Sequence, residues 1–143
     1  PGFCRLFPLG RVYDGTGFSY FLQTGQCKKE HLAKVKVRQW INIPELKRYE
    51  QFVCDWHYFI KDLAKTSQGL SPELIKTLHS YILKVFYLTP YQDGSDFYDQ
   101  FYMRLNDAKS RFFKKGDPFK IATDYDNECF YDRARTLNIS KVA

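Results

Sequence analysis

The sequence predicts an α+β chain that is mainly α, a small N-terminal antiparallel β element followed by a bundle of four aromatic-rich helices. Three observations carry this. Apolar residues recur at every second position up to Ile43 and at every third or fourth position after Pro44. Glycine and proline clusters fall between the periodic stretches, where turns are needed. Aromatic content is 18%, and the Phe and Tyr stand at helical spacing, which gives a chain of 143 residues ample ring surface for one core. A single domain over 1–143 is expected, with a β-rich basic segment at 1–43 and the helical bundle at 44–143.

The β element begins as a hairpin. Arg11 to Tyr13 and Phe18 to Leu22 flank Asp14-Gly15-Thr16-Gly17, whose glycines supply the positive φ of a tight turn. A third strand is predicted over 33–43, because Val35, Val37, Ile41 and Ile43 fall on one face and Lys34, Lys36, Arg38, Trp40 and Asn42 on the other. Residues 28–33 fit either a part of this strand or a helical turn leading into it.

After Pro44 the period becomes helical. Leu46, Tyr49, Val53, Trp56, Ile60 and Leu63 form one stripe, widened by Phe52 and Phe59. Ser71-Pro72-Glu73 starts the next helix: Ser accepts orphan N–H groups, Pro tolerates the first position, and Glu suits the positive end of the dipole. Its inward face is Ile75, Leu78, Ile82 and Val85. A third helix is predicted from about Ser95 to Lys115, with Phe97, Phe101, Leu105, Ala108 and Phe112 inward, and Lys114-Lys115-Gly116-Asp117-Pro118 as its stop. The last segment, 117–137, carries Ile121, Tyr125, Cys129, Ala134 and Leu137 as one helix or two short ones.

Charge is polarised along the chain. Between Lys28 and Arg48 there are 7 basic and 2 acidic residues, so this stretch alone is 7 − 2 = +5 of the total +6, while 49–143 balances 13 basic against 13 acidic. Such asymmetry favours an acidic partner at one end. No apolar run reaches the roughly 20 residues of a membrane-spanning helix, which predicts a soluble or peripheral protein. Compartment is not fixed by these residues.

Catalytic motifs are missing: the sequence has no G-x-S-x-G elbow, phosphate-cradling G-x-x-x-x-G-K or H-E-x-x-H, and Gly15-x-Gly17 is a turn. This argues against an enzyme, and neither catalytic nor cofactor-binding residues are assigned. Cys27-x3-His31 and Cys54-x2-His57 make a Cys2His2 zinc set, though 22 residues separate the pairs, longer than in a standard finger. The packing reading of Cys54, a small hydrophobe beside Val53 and Trp56, competes with it. Cys4 and Cys27 would bridge the hairpin region in an oxidising compartment. The acidic groups Asp93/Asp96/Asp99 and Asp124/Asp126/Glu128 lack the Gly and terminal Glu of a calcium loop and suit helix starts instead. Asn138-Ile139-Ser140 is a glycosylation sequon.

Two classes of function fit these residues. The first is a noncatalytic interaction or assembly subunit that binds a protein partner or a second copy through Tyr58, Tyr87, Tyr91, Tyr98 and Tyr102, since Tyr brings area with few rotors. The second is a nucleic-acid module in which Lys34, Lys36 and Arg38 meet phosphates, Lys47 and Arg48 extend the positive surface, and Trp40 stacks on a base. Lysines on an edge strand also serve simply to prevent sheet-to-sheet aggregation. A zinc-stabilised small domain is a third reading.

Overall fold

A computed structural model describes residues 6–25 and 34–113. The chain divides into two compact units, Pro1–Asp62 and Leu63–Ala143. Its described elements are strands β1 (Leu9–Tyr13) and β2 (Phe18–Leu22) and helices α1 (Val37–Ile41), α2 (Leu46–Thr66), α3 (Pro72–Leu83) and α4 (Phe97–Phe112), with α3 continuing as a π-helical turn over Lys84–Leu88. The unit boundary falls inside α2.

In the first unit, β1 and β2 form the predicted antiparallel hairpin, with Arg11 opposite Tyr20 and Tyr13 opposite Phe18. Asp14 builds the turn. Its Oδ1 accepts from the amides of Thr16 at 3.0 Å and Gly17 at 2.7 Å and from the Thr16 hydroxyl at 3.2 Å, and Gly15 takes φ +108°. The Thr16 and Gly17 amides also hold the Asp14 carboxyl below its ordinary value. On the opposite face of the sheet Gly10 pairs with Phe21, whose ring occupies the space that a Cβ at position 10 would need.

The third strand predicted over 33–43 is not formed among its described residues, 34–43. Residues 34–36 lack regular structure and α1 follows, closed by Asn42 in the left-handed region at φ 46°, its amide bonded to the Arg38 carbonyl. Of the four residues expected inward, only Ile41 is buried, and Val35 is 48% exposed. The physical reason is visible in the pattern: the inward register places the polar Gln39 between Val37 and Ile41, and those two residues, four apart, suit one turn of helix equally well. Pro44, without an N–H, closes the segment against further pairing.

Helix α2 follows its predicted periodicity but buries a stripe turned slightly from the expected one. Cys54, Phe59 and Leu63 are buried, whereas Ile60 is exposed. In the second unit the expected start of α3 is in place: Ser71 Oγ accepts from the Leu74 amide at 3.4 Å, with Pro72 first in the helix and Glu73 in its first turn. Helix α4 starts in the same way, with Asp96 Oδ1 accepting from the Asp99 amide at 3.0 Å, so two acids of the 93–99 group serve a helix start. Leu78, Tyr81, Ile82, Val85 and Phe86 are buried, as are Phe101, Leu105, Ala108 and Phe112 of α4. The fourth bundle helix expected over 117–137 lies outside the described residues.

The end of α3 is unusual. Pro90 has no N–H to offer the Phe86 carbonyl, and the Thr89 amide reaches back five residues to the Lys84 carbonyl at 2.8 Å. The carbonyls this leaves open are met by side chains: the Tyr91 hydroxyl donates to Phe86 O at 3.5 Å, and Arg104 of α4 donates to Val85 O at 2.7 Å, Thr89 O at 2.9 Å and Pro90 O at 2.7 Å. The buried guanidinium lies 3.9 Å from the centre of the Tyr91 ring. A cation is thereby fixed at the negative end of a helix. Arg104→Met is expected to cost about 3 kcal/mol or more, since three carbonyls lose their donor. Urea unfolding measures this, and Arg104→Lys, lacking the planar fork, recovers only part of it.

Candidate functional site

Two sets of side chains were expected to carry function, and the structure separates each of them into internal and external members. Among the cations, Lys34, Lys36, Arg38 and Lys47 are exposed. Arg48 is half-buried, with Nη1 3.3 Å from Glu45 Oε2. With no strand at 34–43, Lys34, Lys36, Arg38 and Trp40 are not held on one pleated face: the first two precede α1 and the last two lie within it. Trp40 is nevertheless anchored. Its Nε1–H donates to the Phe7 carbonyl at 3.0 Å while the residue stays 48% exposed, beside the backbone of a Phe7 that is 49% exposed.

Among the tyrosines, Tyr58 faces the hairpin. Its hydroxyl donates to Gly17 O at 2.9 Å and accepts from the Gly15 amide at 2.6 Å. Tyr91 lies under Arg104. Tyr98 and Tyr102 are half-buried in ring contacts with Phe97 and Phe101 at centroid distances of 5.4 and 5.5 Å. Tyr87 alone of the five is fully at the surface, 65% exposed, accompanied by Leu83 at 51% and Leu88 at 66%. Leu83 and Leu88 were not anticipated. The signal for Leu83 was present, because Leu83 and Tyr87 are four residues apart and fall off the Leu78/Ile82/Val85 face, whereas Leu88, three residues past Val85, continues that face by α-helical spacing and is exposed only by the π turn.

Cys54 and His57 are both occupied in holding the hairpin to α2. Cys54 Sγ is buried 3.7 Å from the Thr16 carbonyl, and burial, followed by the negative charges of Asp55 and Asp14, pushes the thiol up from its ordinary value. This disfavours the thiolate that metal ligation and nucleophilic attack both need. The His57 ring stacks on Tyr13, 3.5 Å between centres and 6° from parallel. Cys27 and His31, the other half of the zinc set, and Cys4 lie outside the described residues. Among the described residues no group of three or more His, Cys, Asp or Glu side chains is placed to hold a metal ion, and no helix is long and apolar enough to cross a membrane.

An aromatic cage around Arg11 completes the first unit. The guanidinium lies 5.2 Å from the Phe18 ring centre, 5.8 Å from Tyr20 and 5.4 Å from Tyr49, and its Nη2 donates to the Tyr49 hydroxyl at 2.9 Å. Burial opposes the charge, but the Tyr49 and Tyr20 hydroxyls outweigh it and raise the Arg11 pKa. The Tyr20 hydroxyl is buried without a well-formed hydrogen bond. Burial first, then the nearby Glu50 carboxylate, pushes this phenol up to about 12, with Arg11 pulling the other way.

The Tyr58 contact with the turn and the Tyr20 phenol beside Arg11 each have a measurable consequence. Tyr58→Phe removes both bonds to the turn, costs about 1–2 kcal/mol, and speeds amide exchange at Gly15, whose N–H loses its acceptor. Tyr20 makes stability fall in alkali. Below its ordinary value of 10 the phenol is neutral in folded and unfolded chains alike, while between 10 and about 12 only the unfolded chain gives up its proton, so stability drops across that window. The fall in urea midpoint from about pH 9 to about pH 11.5 should be smaller in Tyr20→Phe than in the parent. Comparison with family models, with curated proteins and with solved structures finds no match to this chain.

Proposed function

We propose that the protein is a noncatalytic interaction subunit whose contact with a protein partner centres on Tyr87, Leu83 and Leu88. The observation that carries this is the exposure of all three residues, from half to two-thirds of each, at the end of α3. Apolar side chains exposed singly are ordinary, but a Tyr between two Leu on one short stretch supplies the large, rigid contact area on which interface energy concentrates. The π turn supports the same reading, since such turns occur frequently at functional sites. The buried Cys54, with its raised thiol pKa, offers no nucleophile to a competing catalytic role.

A photo-crosslinking amino acid at position 87, introduced in cells of the natural source, should capture one partner, either a different protein or a second copy. The purified complex should then lose about 30-fold or more in affinity on Tyr87→Ala, the scale of an interface hot spot, with the circular dichroism spectrum and the melting temperature of the free protein unchanged. Absence of any crosslink, together with a strictly monomeric sedimentation profile, rejects the reading.

A further inference from the structure

We propose that the short segment from Lys34 to Trp40, in which Lys34, Lys36, Arg38 and Trp40 are all exposed, is a separate site for single-stranded nucleic acid, independent of the contact assigned to Tyr87. The first support is charge. Residues 34–44 contain three cations and no acid, all three cations are exposed, and the first acid after them, Glu45, lies 3.3 Å from Arg48. Their field toward solvent is therefore not cancelled along this stretch. Lys34 and Lys36 precede α1, with Lys36 in extended backbone at φ −65° and ψ 141°, so both cations stand outside the helix.

The second support is the anchored indole, which the sequence pattern did not foretell. A flexible exposed Trp loses rotamer freedom when it stacks. Trp40 has already been fixed by the 3.0 Å bond from Nε1 to the Phe7 carbonyl, and about half of it remains open. Stacking on a base needs only the π-face, so it is compatible with an N–H committed elsewhere. A Trp at a membrane interface keeps its N–H for the wet side, and here that donor is already committed to the chain's own Phe7 carbonyl. The chemistry therefore favours a single strand with unpaired bases over an anionic lipid surface.

The test uses the full chain and a labelled oligothymidine of about twelve nucleotides, followed by fluorescence anisotropy. Three phosphate contacts give a slope of log affinity against log salt of about −2, or about a 15-fold loss from about 50 to about 200 mM salt. Trp40→Ala weakens binding about 5- to 150-fold, in line with the loss of one stacked base, and Lys34→Gln with Arg38→Gln lowers both the affinity and the slope. Because removal of the indole also removes the bond to Phe7, the Gln pair, which leaves Trp40 in place, decides the matter if Trp40→Ala fails to fold. Undetectable binding, salt-independent binding, binding unchanged in the Gln pair, or binding to phosphatidylserine vesicles without binding to the oligonucleotide would each overturn the proposal. Tyr87→Ala leaves oligonucleotide affinity unchanged, so this site and the protein contact succeed or fail separately.

Discussion

The last carbonyls of a helix must be answered, and at the end of α3 one guanidinium answers three of them. Pro90 withholds the amide that would continue α3, Thr89 reaches back to Lys84, and Arg104 takes the carbonyls of Val85, Thr89 and Pro90. The wider π turn advances each residue through a smaller angle than an α turn does. Phe86 is consequently drawn in beside Phe101, 5.8 Å between ring centres, while Leu88 is carried out to solvent. Core and surface at this end of the unit are thus set by Pro90, Thr89 and Tyr91 together with one side chain from α4. The energetic logic is that of a buried charge: costly if isolated, tolerable here because three carbonyl dipoles and the face of Tyr91 surround it.

The first unit is held by a different device. A two-stranded hairpin is marginal by itself, and this one is secured to α2 by hydroxyl, thiol and ring contacts from Tyr49, Cys54, His57 and Tyr58. The residues with the most chemical character in α2 are therefore structural in the folded chain. This is economical for a small sheet, because one helix face provides both the apolar cover and the donors and acceptors that the turn requires.

How much of this was legible beforehand depended on whether a feature is local. Ser71-Pro72-Glu73 specified the start of α3 because capping involves a few consecutive residues, and Asp14 to Gly17 specified the hairpin turn for the same reason. The segment 33–43 misled because alternation describes a strand only where a partner strand completes it, and Gln39 was the warning. Tyr58 was expected at a partner surface and instead meets residues more than 40 positions away, a distance over which periodicity carries no information. The same limit hid the Trp40 bond to Phe7 and the role of Arg104, which in sequence is one more cation on an amphipathic helix.

The pairing of Gly10 with Phe21 has an implication for variation in this chain. The benzyl group stands where a neighbour's first carbon would be, so the two positions form a single steric unit divided between two strands. Substitution at one is constrained by the occupant of the other, and drift at this pair should proceed by correlated exchange, the aromatic shrinking or swinging aside before any bulk is admitted across from it.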